Sequence, residues 1–379
     1  MWLIAGLLLY LGIYKQYEPL LLVPIGFGVL LANLPMAGLA VVESDMVVHA
    51  DGSLMNLPEI AKEYGILNLL YYSLIKTGIL PPIIFMGVGA LTDFGPMLRN
   101  LRLAFFGGAA QIGIFTVVIL AVLMGYSLPE AASMGIIGGA DGPTAIYTTI
   151  QLAPHLLGPI AIAAYSYMAM VPIIIPAVAK LLMTKEEFKI HMKNQDRLHP
   201  SKNEIKNIKA AKIVFPIALT LVVAILVPSS APLIGMLMLG NLLKEIGPNT
   251  ARLADAASGP IMNTATVFLG VCVGATMPAD VFLRWETIGI LVLGLFAFAI
   301  SIAGGILAVK AYNKTTKKKV NPLVGATGLS AVPMASRVAN EEALKYDKSN
   351  HILQYCMSSN VSGVIGSAVA AGVLISFLG

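Results

Sequence analysis

The sequence predicts an all-α protein made of several transmembrane helices. Of its 379 residues, 57% are hydrophobic and only 12% are charged, whereas about a quarter of the residues in a soluble domain are charged. The mean hydropathy is +0.81. Apolar stretches long enough to cross a hydrocarbon core of roughly 30 Å recur along the whole chain. We therefore expect a polytopic membrane protein with the bilayer as its solvent.

The N-terminal region, residues 1–77, is predicted to form membrane helices and an external loop that serve as a scaffold. Trp2–Tyr14 lacks the basic start and the small-residue cleavage site of a secretory signal, so we interpret it as a retained helix. Glu43–Asp51 is acidic and nearly free of Lys and Arg, which favours the outer side of the membrane.

Four further apolar stretches and two basic segments set the expected topology. We expect one membrane helix from each stretch: Leu103–Gly125, His155–Met183, Ile213–Val227 and Ile288–Val309. Lys185–Lys212 and Lys310–Lys319 carry most of the positive charge, and the positive-inside rule puts both at the cytoplasm. These two segments could also bind a cytoplasmic partner, although basic loops usually determine topology alone. We expect residues 213–262 to form connecting membrane helices.

Two pairs of similar motifs predict an internal duplication. Val88–Arg99 aligns without gaps on Val273–Arg284 at an offset of 185 residues, and Gly139–Ala145 aligns on Gly325–Ala331 at an offset of 186. This predicts a first repeat over 78–183, a basic cytoplasmic loop over 184–212 and a second repeat over 263–379.

A Gly- and Pro-broken, re-entrant hairpin is expected in each repeat, at 128–152 and at 321–335. The charges orient the two repeats oppositely. Inverted repeats with broken helices are typical of secondary transporters, so the sequence predicts an elevator-like transporter architecture.

Asp141 is the leading candidate for a functional residue. Between Leu103 and Ala179 the only Asp, Glu, Lys or Arg side chains are Glu130 and Asp141. Glu130 follows Pro129 at an expected helix start, where a carboxylate offsets the helix dipole. A carboxylate at the bilayer centre costs about 2.5–3.5 kcal/mol on insertion scales, so Asp141 calls for a cation. The alternative is that it only caps a half-helix.

The residues around Asp141 suit a monovalent cation. Glycines permit positive φ, Pro143 frees backbone carbonyls, and Thr144 adds a hydroxyl oxygen. Oxygen ligands with one carboxylate favour Na⁺ over a divalent ion. The second broken motif adds oxygens from Asn321, Thr327 and Ser330.

Three other polar residues have two interpretations each. Tyr167 could line the ion path or donate a proton, or it could be a packed tyrosine with a satisfied hydroxyl. Arg337 could bind a substrate carboxylate or act as a counter-charge to Asp141, or it could extend to the interface. Asn360 could be a ligand, although the small residues after it favour helix packing.

Other classes of site have little support in the sequence. Cys272, Cys356 and the five histidines form no cluster with the spacing of zinc or haem ligands. The net charge of +5 comes from two short patches, so nucleic-acid binding is not expected.

The chain resembles the β subunits of the Na⁺-translocating biotin-dependent decarboxylases, which act in oxaloacetate, glutaconyl-CoA and methylmalonyl-CoA or malonyl-CoA decarboxylation. The motifs that carry the resemblance are Gly138–Ile146, Tyr165–Ala169, Gly235–Asn241, Asn321–Gly325, Ser330–Arg337 and Asn360–Ser367. The likeness extends from about Gly78 to the C-terminus. It implies that Asp141, Asn321, Gly325, Ser330, Arg337 and Asn360 belong to the Na⁺ and proton pathway, with Tyr167 beside it.

The resemblance also implies roles for these residues. Asp141, Tyr167 and Arg337 would be catalytic, and Arg337 would receive carboxybiotin. The Na⁺ ligands would come from Asp141, Thr144, Asn321, Gly325, Ser330 and Asn360.

Partner subunits are part of the same implication. The sequence shows neither a biotinyl-lysine motif nor a carboxyltransferase domain. We therefore expect a biotin carrier subunit, a carboxyltransferase α subunit and a small membrane-anchor subunit, in a complex of several copies in the cytoplasmic membrane of a prokaryote. The chain would decarboxylate carboxybiotin, consume a proton and export Na⁺.

Two rival functions remain open at this point. One is a Na⁺-coupled symporter of a small carboxylate without a catalytic role, and the other is a passive channel or scaffold subunit. The sequence does not identify the acyl donor.

Overall fold

A computed structural model describes residues 1–16, 18–42, 46–49, 53, 55–199, 205 and 207–379. Over these residues the chain is built from α-helices joined by short 3₁₀ and π turns. Five helical segments are long and apolar enough to cross a membrane, and seven if each of two bent pairs counts as one span. This confirms the prediction of an all-α, multi-pass membrane protein. Much of the expected external loop at Glu43–Asp51 lies outside the described residues.

The N-terminal third contains short apolar helices followed by a bent pair. The helices are α1 (Trp2–Ile13), α2 (Pro19–Ala32), α3 (Leu57–Leu70), α4 (Leu80–Leu91) and α5 (Gly95–Arg99). A π turn at Tyr71–Ile75 extends α3, and the bend between this segment and α4 is 65°. α1 agrees with the helix predicted at Trp2–Tyr14, and its retention stays a prediction.

The next third contains the first broken hairpin. Its helices are α6 (Leu101–Ala110), α7 (Ile112–Leu123), α8 (Leu128–Gly135), α9 (Gly142–Leu152), α10 (Leu157–Ala169) and α11 (Val171–Leu182). α6 and α7 together form Leu101–Leu123, a segment long and apolar enough to cross a membrane. Between α8 and α9 the chain leaves the α conformation, so the break predicted inside 128–152 is confirmed.

The remaining helices follow a short surface segment, α12 (Lys185–Phe188) and α13 (Met192–Leu198). They are α14 (Ile208–Leu226), α15 (Ala231–Ile246), α16 (Ala251–Ala256), α17 (Met262–Ala275), α18 (Ala279–Phe282), α19 (Trp285–Thr315), α20 (Leu323–Ala326), α21 (Met334–Tyr346) and α22 (Leu353–Leu378). A second π turn at Ala257–Ile261 joins α16 to α17. The chain leaves the helix between α20 and α21, inside the predicted segment 321–335.

The prediction of one continuous helix over His155–Met183 is wrong. The segment consists of α10 and α11, which meet at a bend of 68°. The bend coincides with Val171-Pro172 at the start of α11. Pro172 has no N–H to bond the carbonyl one turn earlier, and its ring disfavours the helical conformation of the preceding residue.

Two helix pairs outside the hairpins are in backbone contact through glycines. In the α4–α15 pair, a Cβ on Gly89 would overlap the carbonyl of Leu237, and one on Gly240 would overlap the carbonyl of Met86. In the α2–α17 pair, Gly28 and Gly274 approach each other in the same way. Such close approach is possible only without side chains, and it fixes α4 against α15 and α2 against α17.

The two basic segments meet at one end of the molecule, which we call the basic end. Lys310 pairs with Glu187 at 3.2 Å, and Lys318 pairs with Asp196 at 2.8 Å. α19 begins at Trp285, at its other end. There it borders a cavity of about 420 Å³, whose lining includes Val42, His155, Arg284 and Glu286. The 31 residues of α19 separate the two ends by roughly 46 Å at 1.5 Å per residue.

Candidate functional site

The first breakpoint lies between α8 and α9. A 3₁₀ turn at Ile136–Gly139 ends α8, and Ala140 adopts a left-handed conformation with φ of 53°. The expectation that the glycines here provide positive φ is therefore wrong, because the residue with positive φ is Ala140. The glycines instead permit close packing: a Cβ on Gly142 would overlap the ring of Tyr165, and one on Gly139 would lie 2.9 Å from Ser367 Cβ.

Asp141 directly precedes α9 and is 5% exposed. Its Oδ1 accepts a hydrogen bond of 3.3 Å from the backbone N–H of Thr144, so it caps the half-helix. Its Oδ2 accepts hydrogen bonds of 2.8 Å from both the Ser330 and Ser367 hydroxyls. Capping is thus only part of its role, because its second oxygen faces the second hairpin and α22.

The second breakpoint is joined to the first through backbone as well as side chains. The backbone N–H of Ser330 donates to the Gly139 carbonyl at 2.9 Å. Gly328 fits against the backbone of Phe106 and Gly107 on α6. The structure therefore brings Asp141, Thr144 and Ser330 together, as the sequence predicts for an ion site between the two broken motifs.

Asn360 holds the second breakpoint from α22. Its amide N–H donates to the carbonyl of Leu329, the neighbour of Ser330, and its Oδ1 accepts a 3.1 Å hydrogen bond from Ser336. Asn360 therefore bonds to the residue next to Ser330 and orients the backbone that carries Ser330.

Tyr165 is a site neighbour that the sequence reasoning passed over in favour of Tyr167. Its ring covers Gly142 and is fully buried. Its hydroxyl and that of Thr144 have no hydrogen-bond partner among the described residues. The signal was present in the motif Tyr165–Ala169, but nothing in a single sequence tells which tyrosine faces the break.

Tyr167 lies on the other side of α10. Its hydroxyl donates to the carbonyl of Leu291 on α19, and its ring lies against Gly294. This agrees with a packed tyrosine whose hydroxyl is satisfied. A position beside the pathway remains a prediction.

Asn321 and Gly325 make packing contacts at the start of the second broken motif. The Asn321 amide donates to the carbonyls of Phe188 and Ile190 at 3.0 and 3.1 Å, and its Oδ1 accepts from Leu323 N–H at 3.0 Å. Gly325 and Gly305 meet backbone to backbone on α20 and α19. Their groups serve packing here, and their roles as ion ligands stay predictions.

Arg337 is exposed in the first turn of α21, close along the chain to the second breakpoint. Thr327 is buried, and its hydroxyl donates to the carbonyls of Val324 and Cys356 at 2.8 and 3.1 Å. The exposed guanidinium is therefore available to a charged group, whereas the Thr327 hydroxyl bonds the backbone.

Comparison with known proteins identifies the family. The family model of the Na⁺-transporting oxaloacetate decarboxylase beta subunit matches residues 1–378. The chain is 50% identical to the methylmalonyl-CoA decarboxylase subunit beta of Propionigenium modestum, covering 100% of this chain and 94% of the relative.

Two further relatives give the same result. The oxaloacetate decarboxylase beta chain of Haemophilus ducreyi is 46% identical over 99% of this chain and 94% of its own length. The glutaconyl-CoA decarboxylase subunit beta of Acidaminococcus fermentans is 46% identical over 100% of this chain and 92% of its own length. The resemblance found in the motifs is confirmed, and it includes the N-terminal region. The chain belongs to the family of Na⁺-transporting decarboxylase β subunits.

Proposed function

We propose that the chain is the membrane subunit of a sodium-pumping decarboxylase, which decarboxylates carboxybiotin and exports Na⁺ through the site at Asp141. One observation carries the proposal: a buried carboxylate at the first breakpoint is bonded to Ser330 at the second. A charge at this depth needs a compensating cation for at least part of the cycle.

The donors around Asp141 fit Na⁺ as the transported substrate. They are a single carboxylate, the hydroxyls of Thr144, Ser330 and Ser367, and the Gly139 carbonyl, all oxygens. Na⁺ is a hard cation that matches such ligands, and one carboxylate suits its single charge. Asn360 would hold this shell in place through Leu329, and Asn321 and Gly325 would fix the far end of the second motif.

The order of elements supports the duplication, and the charge pattern of the sequence favours opposite orientations of its two halves. In each half a π turn, an apolar helix and a short helix lead to a long span: Tyr71–Ile75, α4, α5 and α6–α7 correspond to Ala257–Ile261, α17, α18 and α19. A broken hairpin follows in both halves. We propose that the hairpins move as one transport unit against a scaffold that includes α2, α4, α15 and α17, in an elevator-like cycle.

The decarboxylation would take place at the basic end. We propose that a biotin carrier subunit presents carboxybiotin near Arg337 and that its ureido N–CO₂⁻ bond breaks. CO₂ leaves, and the nitrogen takes a proton delivered through the region of Asp141 and Tyr167. A carboxyltransferase α subunit and a small anchor subunit would complete a complex of several copies in a prokaryotic cytoplasmic membrane, with the basic end inside.

Replacing Asp141 tests this function. We expect Asp141→Asn to abolish Na⁺-stimulated decarboxylation and ²²Na⁺ uptake in the reconstituted complex, because a neutral amide cannot balance the ion. Asp280→Asn, at an exposed position on α18, is the matched control and should keep both activities. Full Na⁺ pumping by Asp141→Asn would reject the assignment.

The rival symporter is tested separately. A symporter of a small carboxylate would take up ²²Na⁺ without any carboxylated biotin donor and would purify without biotinylated protein. The family assignment disfavours it. We expect uptake to require the donor and a biotinylated subunit to co-purify.

A further inference from the structure

Gln111 joins the two breakpoints from outside both hairpins. It occupies the joint between α6 and α7 and is 6% exposed. Its side-chain N–H₂ donates to the carbonyl of Gly107 at 2.9 Å and to the carbonyl of Gly328 at 3.3 Å. Gly328 lies two residues before Ser330, so Gln111 holds the backbone of the second breakpoint.

These two acceptors fix the orientation of the Gln111 amide. An amide has one oxygen and one nitrogen that are interchangeable in shape, and the hydrogen-bond network decides between them. Turning the group over would place Oε1 against two carbonyl oxygens. The nitrogen therefore faces Gly107 and Gly328, and the oxygen faces the other way.

The oxygen of Gln111 points toward the first breakpoint. A Cβ built on Gly139 would lie 3.6 Å from Gln111 Oε1 and 2.9 Å from the Cβ of Ser367. Gly139 thus borders both Gln111 and the serine whose hydroxyl binds Asp141. Over the described parts of the chain, this buried Oε1 has no hydrogen-bond donor. Buried acceptors in native proteins almost always have a partner.

We propose that Gln111 Oε1 is a Na⁺ ligand that sets the preference of the site for Na⁺ over H⁺. The inference rests on the proposed function, since it concerns the same ion. Asp141 can bind either a proton or Na⁺, whereas a neutral amide oxygen can coordinate Na⁺ but does not itself take up a proton near neutral pH. A ligand of this kind therefore adds an oxygen for Na⁺ without adding a second group that a proton can occupy.

The test compares two variants of the full chain in the purified complex. Gln111→Met keeps the volume but removes both the oxygen and the N–H₂ donors. Gln111→Glu keeps an oxygen at the same place, removes the donors and adds a carboxylate charge. Gln151→Met, at an exposed position on α9, is the matched control. The readouts are the NaCl concentration for half-maximal thermal stabilisation at constant ionic strength, and its dependence on pH.

We expect Gln111→Met to raise the half-maximal Na⁺ concentration about tenfold or more, which corresponds to about 1.4 kcal/mol. Gln111→Glu should bind Na⁺ at least as well as the unmodified chain at pH 8 and lose affinity more steeply toward pH 6, because a proton competes for the added carboxylate. Gln151→Met should leave both values unchanged.

Two results would overturn the inference. One is an unchanged Na⁺ requirement in Gln111→Met. The other is an equal loss of Na⁺ affinity in Gln111→Met and Gln111→Glu without a new pH dependence. That result would mean that Gln111 acts only through the hydrogen bonds that its N–H₂ group donates. If Gln111→Met does not fold, the pH dependence of Gln111→Glu decides. Asp141→Asn separates the role of Gln111 from the proposed function. If Na⁺ still stabilises this variant, the proposed Na⁺ site at Asp141 is wrong.

Discussion

Asp141 shows how single hydrogen bonds hold a carboxylate inside a membrane protein. Its partners come from three elements: Thr144 on α9, Ser330 beside the second break, and Ser367 on α22. The sequence alone identified Asp141, Thr144 and Ser330, because charge and broken backbone are visible in it. It did not identify Ser367, since a serine in a small-residue helix resembles a packing residue until its distance to a carboxylate is known.

Ser367 can be tested against a serine of the same helix. We expect Ser367→Ala to weaken Na⁺-stimulated decarboxylation and to destabilise the chain by about 1.5–3 kcal/mol, the usual value of a hydrogen bond to a charged group. Ser376→Ala, which removes a solvent-exposed hydrogen bond to Ser229, should change stability by much less. Chemical unfolding and turnover measure the two effects. Equal effects of both variants would argue against a special role for Ser367.

The two tyrosines of α10 give opposite predictions. Tyr167→Phe removes the hydrogen bond to the Leu291 carbonyl and should destabilise the chain by about 0.5–1.5 kcal/mol. Tyr165→Phe removes a hydroxyl that is unpartnered within the described residues, so it should keep or raise stability. Thermal unfolding of the two variants, without Na⁺, distinguishes them. A larger loss for Tyr165→Phe would mean that its hydroxyl has a partner in the folded state.

At the scale of helices, glycines determine which elements can touch. The sequence predicted both breakpoints from their Gly and Pro content, and the structure confirms that the helices end there. It assigned the glycines to positive φ, however, whereas their main use is contact with neighbouring elements. A neighbour distant in sequence, such as Tyr165 over Gly142, cannot be recognised from local pattern. For the same reason, the bend before Pro172 was missed inside an otherwise continuous apolar stretch.

Adding one methyl group tests these contacts. Gly142→Ala places a Cβ inside the Tyr165 ring and should destabilise the first hairpin by about 1–3 kcal/mol, typical for overpacking of a core. Gly108→Ala on α6 meets no atom within 4 Å and should be neutral or stabilising by about 0.5–1 kcal/mol. Unfolding of both variants in detergent gives the comparison. Similar stabilities would contradict the tight packing of Gly142.

At the scale of the whole molecule, the charge pattern of the sequence predicts that both basic segments lie on one side, and the structure places them together at one end. The basic segments around Lys185 and Lys318 were assigned to one side from composition alone, and they are joined by ion pairs in the structure. The contacts between distant helices, such as α4 with α15 and α2 with α17, could not be inferred, because small residues are common throughout the chain.

Cysteine labelling tests the sidedness. The two native cysteines, Cys272 and Cys356, are buried, so they should give little background. Arg284→Cys, at the end of α19 near the 420 Å³ cavity, should react with an impermeant maleimide in intact cells. Lys317→Cys, exposed at the other end, should react only after the membrane is opened. The reverse pattern would invert the proposed orientation.

The hydrogen bond between Ser330 N–H and the Gly139 carbonyl limits how the ion can escape. If one hairpin tip opened alone, it would have to break this hydrogen bond together with the bonds from Ser330 to Asp141 and from Gln111 to Gly328. A rigid displacement of both tips together with the joint between α6 and α7, which carries Gln111, keeps all three interactions. The sodium ion should therefore stay bound between the two tips while they move together. An inhibitor that separates the tips would stop transport without blocking access to the site from either side of the membrane.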